Sequence, residues 1–410
     1  MASLPDRALF GVSRFLWPAH NLVLLVVIGA FHGQDAIADY TYALAICGPL
    51  YFLTSFTFAL FLLVDSKRGR YRRELLFLRI LSVAASLPLV TLAVLLFPST
   101  QTYAVVALWI LKLGEVLFEP VPIYIGTHST AEHRGKRLFL CDASRVLLSQ
   151  VLMWFCLLVL ESDLVALLWV TGLGNLLLSL WFLVSVPKWT SRRLRAHRVL
   201  AASRRLFRFC LPMTLSAALL AFLISLPRIL MEGVLEEHER AIFGTAQVIG
   251  SGAALFFNAM WLYEFQQIRK RVRENDFFGV ARINLTLSFF FFVALAAGSL
   301  ALFFIQPLVF SALRINAAPS GLLPALVFLL GIQHCISVHR DLLKLIGQVW
   351  AEVRVLVGAL AVATLAHQIF VLVLDGPWLW GVTAFCVLSA LVQVALAYLQ
   401  VRRLSPAHSS

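Results

Sequence analysis

Several ionisable residues sit where an apolar helix offers them nothing to bind. Lys112, Glu115 and Glu119 lie in the apolar run 103–126, with the two glutamates three and seven residues after the lysine, so all three share one helical face. Asp142 and Arg145, again three apart, interrupt the next apolar run, and Arg14 precedes His20 and Asn21 in the first. An ionisable group at a bilayer centre costs roughly 2.5–3.5 kcal/mol, so such groups must face one another or water. Two chemistries are open to them. Lys112 with Glu115, and Asp142 with Arg145, can be ion pairs that lock helices together. Alternatively, Arg14, Lys112 and Arg145 line a wet cavity suited to an anionic head group, with Glu115, Glu119 or Asp142 taking up a coupling ion. Arginine suits phosphate because its planar fork donates two hydrogen bonds at once. In the second half Arg228 is the corresponding candidate, although Glu232 one turn on makes a structural pair its favoured role.

The elements that position these residues follow from composition. Of 410 residues, 60% are apolar and 13% are charged, outside the range of soluble domains. Runs such as 285–305 and 356–374 are apolar almost all round, which describes a membrane span rather than an amphipathic helix. The formal charge of +13 raises the possibility of a nucleic-acid partner, but the basic residues recur as short clusters between apolar runs, the pattern of membrane topology. The six cysteines form no CxxC pair and read as small packing residues. His334 and His339 are five apart and do not share a helical face, so no metal pair is expected, nor any cofactor.

Since about 20 residues cross the hydrocarbon, twelve spans are expected: 9–31, 40–64, 75–97, 103–126, 138–160, 164–186, 207–231, 241–265, 280–305, 321–339, 353–374 and 378–401. The fold class is therefore an all-α integral membrane protein. Its organisation reads as an N-terminal six-helix lobe (1–187), a basic linker (188–206) that can form a surface helix, a C-terminal six-helix lobe (207–401) and a tail (402–410). The two halves open alike, Arg14-Phe15-Leu16-Trp17-Pro18 echoing Arg208-Phe209-Cys210-Leu211-Pro212. With the N-terminus inside, 27 of the 34 Lys and Arg residues fall in cytoplasmic connections and two, Arg240 and Arg314, on the other side. Both termini are thus expected in the cytoplasm.

Three stretches carry a family likeness. They are Leu226-Pro227-Arg228-Ile229-Leu230-Met231-Glu232 with Ile242-Phe243-Gly244, then Lys112-Leu113-Gly114-Glu115 through Tyr124 to Gly126 with Ser144-Arg145, and Tyr40 to Ala45. In these the chain resembles the polysaccharide-transporter branch, the lipid-linked oligosaccharide (O-antigen type) flippases, of the multidrug, oligosaccharidyl-lipid and polysaccharide exporter superfamily. It departs from the pattern at Asp39, where glycine is usual, and in the charged turn 236–240. The resemblance implies two six-helix lobes around a central cavity that opens alternately to each side. It also implies a polyprenyl-diphosphate-linked glycan as cargo in a bacterial inner membrane, a proton or sodium gradient as driving force, and polysaccharide polymerase machinery as a partner. Arg14, Lys112, Arg145 and Arg228 would then meet the diphosphate or glycan, and Glu115, Glu119 and Asp142 would couple an ion.

Other functions are weighed against this one. A drug or small-molecule exporter of the same superfamily is the nearest. A membrane glycan polymerase or ligase would need reactive side chains on a sizeable outer loop, whereas the outer connections are short, so an enzyme is not expected. A non-catalytic assembly component is the remaining reading.

Overall fold

The computed structural model describes residues 4–55, parts of 77–88, 100–118, 134–185, 196–315 apart from 275, 321–336, 339, 342–343, 348–373 and 377–404. Every element in these residues is helical: α1 Leu4–Ser55, α2 Thr100–Phe118, α3 Arg134–Leu158, α4 Leu164–Ser185, α5 Ala196–Leu230, α6 Glu237–Arg273, α7 Phe277–Leu313, α8 Leu322–Cys335, α9 Val349–Gln368 and α10 Trp378–Leu404. Seven stretches among them are long and apolar enough to cross a membrane. Their lipid-facing character is written in exposure: Trp181, Phe289, Phe304 and Leu308 are each about 70% exposed or more. A soluble protein would bury side chains of that size. The chain is an all-α integral membrane protein, and each expected span coincides with helix where its residues are described, apart from span ends such as Val159, Leu160, Met231, Gly321 and Ile336, which are turns or bends.

The helix boundaries depart from expectation at instructive places. The connection expected at 32–39 contracts to one residue, Gly33, at φ 82° and ψ −172°. Glycine alone adopts that conformation readily, so residues 4–32 and 34–55 form two helical arms meeting at a single joint. The latter part of the expected linker is not a separate surface helix: α5 begins at Ala196 and runs without a break into the apolar segment. Its opening, Ala196-His197-Arg198-Val199-Leu200-Ala201-Ala202, contains neither Gly nor Pro, so nothing in it stops helix propagation. The helix α9 passes into a π-helical turn, Ile369–Val373.

Polar residues close the apolar helices at their ends. Asp163 accepts from the Ala166 amide at 2.7 Å at the start of α4, and Asp276 accepts from Gly279 at 2.8 Å at the start of α7. At the other end of α7, Arg314 takes a left-handed conformation, φ 51°, and its amide bonds back to the last turn. These caps satisfy backbone groups that a helix end would otherwise leave bare.

The chain divides into two compact units. The first comprises Met1–His32 and Ala43–Ala218, and the second Gly33–Tyr42 and Leu219–Ser410. In the first, α2 packs on α4, and α3 on α4. In the second, α8 packs against α6, α7 and α10, and α9 against α10. A buried amide chain ties α8 to α10: Gln333 Nε2 donates to the Cys386 carbonyl at 2.9 Å, and Gln393 Nε2 donates to Gln333 Oε1 at 2.8 Å. Amides inside a bilayer bond across helices for want of water.

Candidate functional site

Within the first unit, glycines bring two backbones together. A Cβ on Gly114 would stand 2.7 Å from Asn175 Nδ2 and 3.0 Å from the Leu176 nitrogen, and one on Gly172 would stand 3.0 Å from the Ala107 carbonyl oxygen. Small residues facing each other let α2 and α4 approach more closely than side chains would allow. That approach puts Asn175 of α4 against the turn of α2 that carries Lys112 and Glu115.

Asn175 is the junction. Its Nδ2 donates to the Leu111 carbonyl at 3.1 Å, and its Oδ1 accepts from Arg145 Nε on α3 at 2.6 Å. Asn175 is 1% exposed and Arg145 5%. The Arg145 guanidinium also lies over the Phe118 ring, 4.6 Å from its centroid. A guanidinium this deep in a membrane protein is held by a neutral amide and an aromatic face, with Glu115 and Asp142 within electrostatic reach.

Lys112 and Glu115 form a pair. Lys112 Nζ donates to both carboxylate oxygens, at 2.9 and 3.1 Å, and stands 5.9 Å from the Tyr51 centroid. Their side chains keep 14% and 12% of their exposure, so neither is sealed in the packed interior. His20, 3% exposed, accepts on Nδ1 from Gln150 at 2.7 Å, and Arg145, Glu115 and Lys112 all lie within its electrostatic reach.

Lys112, Glu115, Asp142, Arg145 and His20 are therefore neighbours in space, on α1, α2 and α3. Arg14 belongs to α1, but its side chain, like the whole of Glu119, lies outside the described residues. Asn175 and Gln150 carry no charge and drew no notice as sequence. The signal that could have found Asn175 was its position as an amide within Leu164–Ser185, where a polar side chain must have a partner.

Arg228 belongs to the second unit. It is fully buried and bonds three ways: to Glu232 one turn on, to the Ala38 carbonyl at 3.1 Å, and over the Tyr42 ring at 5.5 Å. Glu232 also receives Arg240 Nη1 at 3.3 Å. A Cβ on Gly244 would overlap the Thr41 side chain. Residues 38–42, the Arg228 turn and Gly244, which lie far apart in sequence, thus meet as one packed knot. Among the described residues no group of His, Cys, Asp or Glu could hold a metal ion.

No family model and no curated protein matches this sequence. Solved structures do share its fold. An inward-facing multidrug resistance MATE family transporter of the MOP superfamily aligns with a TM-score of 0.65 at 16% identity, over 100% of this chain and 97% of that one. An outward-facing conformation of such a transporter aligns at 0.63 and 15%, over 99% and 98%. The lipid II flippase MurJ, in an inward closed conformation, aligns at 0.58 and 11%, over 98% of this chain and 88% of that one. At these identities the likeness is one of fold: the chain has the architecture found in MATE transporters and in MurJ.

Proposed function

We propose that the protein is a flippase. It carries a polyprenyl-diphosphate-linked oligosaccharide from the inner to the outer leaflet of a bacterial inner membrane by alternating access, with both termini in the cytoplasm and its two halves acting as lobes. The observation that carries this reading is the gathering of two cations, Lys112 and Arg145, with the carboxylate Glu115 on membrane helices of one unit. A diphosphate crossing a bilayer must exchange its water for donors of this kind. In this reading Lys112 binds Glu115 at rest and the diphosphate during transport. Proton uptake by Glu115 then frees the lysine, which couples passage of the cargo to an ion gradient. The delivered glycan unit is the substrate of a polymerase, the partner that such a flippase implies.

The test is the double substitution Lys112→Gln, Arg145→Gln in the intact chain. Surface glycan is expected to fall and lipid-linked units to accumulate on the inner leaflet, with membrane levels of the protein checked by immunoblot. Unchanged surface glycan at normal protein levels refutes the assignment.

A second reading, an ion-coupled exporter of drugs or small molecules, is favoured by the balance of charge, since Glu115 and Asp142 match Lys112 and Arg145 in number. A cationic cargo would engage the two carboxylates. Efflux of a cationic dye that is lost in Glu115→Gln but kept in Lys112→Gln would select this reading over the flippase.

A further inference from the structure

We propose that the second unit carries a binding site for an anionic phospholipid, at the polar ends of α6 and α7. A cavity of about 450 Å³ opens there, lined by Arg271, Asp276, Arg282, Ile283, Thr286 and Leu287. The proposal rests on the chain being a membrane protein and is independent of what it transports.

The chemistry of the lining names the occupant. Two guanidiniums, Arg271 and Arg282, share the lining with the branched apolar side chains of Ile283 and Leu287. Arg271 donates to Asp276 at 2.7 Å, while Asp276 also accepts from the Gly279 amide, so the carboxylate that would repel an anion is already engaged by two donors. A guanidinium has five N–H donors, and the Asp276 contact leaves its fork able to meet a second anion. The lining carries a net charge of +1, which selects against a cation and favours a phosphodiester. Gly279 leaves room between these groups: a Cβ there would overlap both Arg271 and Asp276.

An exposed apolar stripe of α7 continues from the lining. Arg282, Thr286, Phe289 and Val293 follow at helical spacing down one stripe of α7, with Phe289 70% and Val293 49% exposed. A molecule with its phosphate between the arginines can therefore lay an acyl chain along that stripe without leaving the hydrocarbon. A free phosphate would leave Ile283 and Leu287 unmet, and a zwitterionic head group would bring a second positive charge to two arginines. Basic pockets between membrane helices at the interface are suited to anionic head groups. The source we assign is a bilayer lipid such as phosphatidylglycerol.

Native mass spectrometry of the full chain in neutral detergent reads this directly. Phosphatidylglycerol is expected to bind at least about tenfold more tightly than phosphatidylcholine, and Arg282→Gln to remove about that factor, the ratio expected for a lost charge-assisted hydrogen bond. Arg282→Lys should restore part of it. Ile283→Trp, which fills the cavity from its apolar wall and leaves both arginines in place, should also weaken phosphatidylglycerol. Arg314→Gln, the same charge change at the far end of α7, should not. Equal binding of the two lipids, or an equal effect of Arg314→Gln and Arg282→Gln, overturns the site. Displacement of the lipid by inorganic phosphate at equal concentration overturns its assignment to a lipid.

Discussion

Asn175→Ala is the substitution whose outcome the geometry fixes most tightly. The wild-type amide makes two bonds that alanine cannot: acceptance from Arg145 Nε at 2.6 Å and donation to the Leu111 carbonyl at 3.1 Å. A hydrogen bond to a charged group contributes about 1.5–3 kcal/mol. A neutral bond between membrane helices averages about 0.6, because the unfolded chain in the membrane also finds partners. Together these give a loss of roughly 2–4 kcal/mol. The Arg145 part can be isolated by a double-mutant cycle with Arg145→Met, since the Leu111 bond is common to both backgrounds. Reversible unfolding in mixed micelles is the assay, and a coupling of about 1.5–3 kcal/mol between the two sites is expected. A coupling near zero would refute the claim that Asn175 is what holds the guanidinium inside the first unit. Success would leave the double variant only about 0.6 kcal/mol less stable than Arg145→Met, the share of the Leu111 bond.

Three further outcomes follow from other contacts. Arg228→Met strips the buried partner from Glu232 and should cost about 3 kcal/mol in the same unfolding assay, a little less than a fully buried pair because Arg240 still reaches Glu232 at 3.3 Å. Gly244→Val drives a side chain into Thr41, which is 1% exposed, and should lower stability by about 1–3 kcal/mol, whereas Gly252→Val, with open space at its Cβ, should change little. The Gly279 amide first, and then Arg271, hold the Asp276 carboxyl below the ordinary carboxylate range. Its contribution is therefore present above that range and lost as the pH falls through the depressed value, so Asp276→Asn should be less stable than wild type at neutral pH, with the two thermal midpoints converging in acid.

How much of this was legible in the sequence depended on what the helices had to hide. A lysine, two glutamates, an aspartate and an arginine in apolar runs are conspicuous because each is expensive there, so the Lys112–Glu115 pair and the nearness of Asp142 to Arg145 could be anticipated from spacing. Asn175, Gln150, Gln333 and Gln393 cost less and merge into the apolar pattern, and their partners lie 30, 130 or 60 residues away, beyond what periodicity can report. Gly114 stood inside a recognised stretch, but its purpose depends on the Leu176 backbone across the interface. The joint at Gly33 was hidden for another reason. Asp35 and Asp39 look like a loop, and only a positive φ at one glycine shows that the chain resumes a helix at once. The arginines around 271 registered as topology, because a charge count cannot tell a solvated cluster from the wall of a cavity.

The resting site is close to electrically neutral, and neutrality bears on which cargo the proposed transporter takes. Cations left alone in a membrane interior would be costly, so a site meant for an anion needs a placeholder, and Glu115 fills that role for Lys112 at 2.9 Å. Exchanging the carboxylate for a diphosphate preserves the charge balance only if Glu115 takes up a proton. The reverse exchange, with a cationic cargo on Glu115, preserves it only if Lys112 gives one up. The pair alone therefore serves either sign of cargo. Arg145 differs from the pair, because a guanidinium does not release its proton and stays a cation whichever way the pair switches. It is bonded through Nε to the neutral amide of Asn175, with the carboxylates Glu115 and Asp142 in its electrostatic surroundings. Arg145 therefore offers a phosphate donors that stay charged throughout the switch, while Asp142 balances its charge, so it is the guanidinium's donor geometry and not a net positive charge that favours an anionic cargo in the proposed transporter.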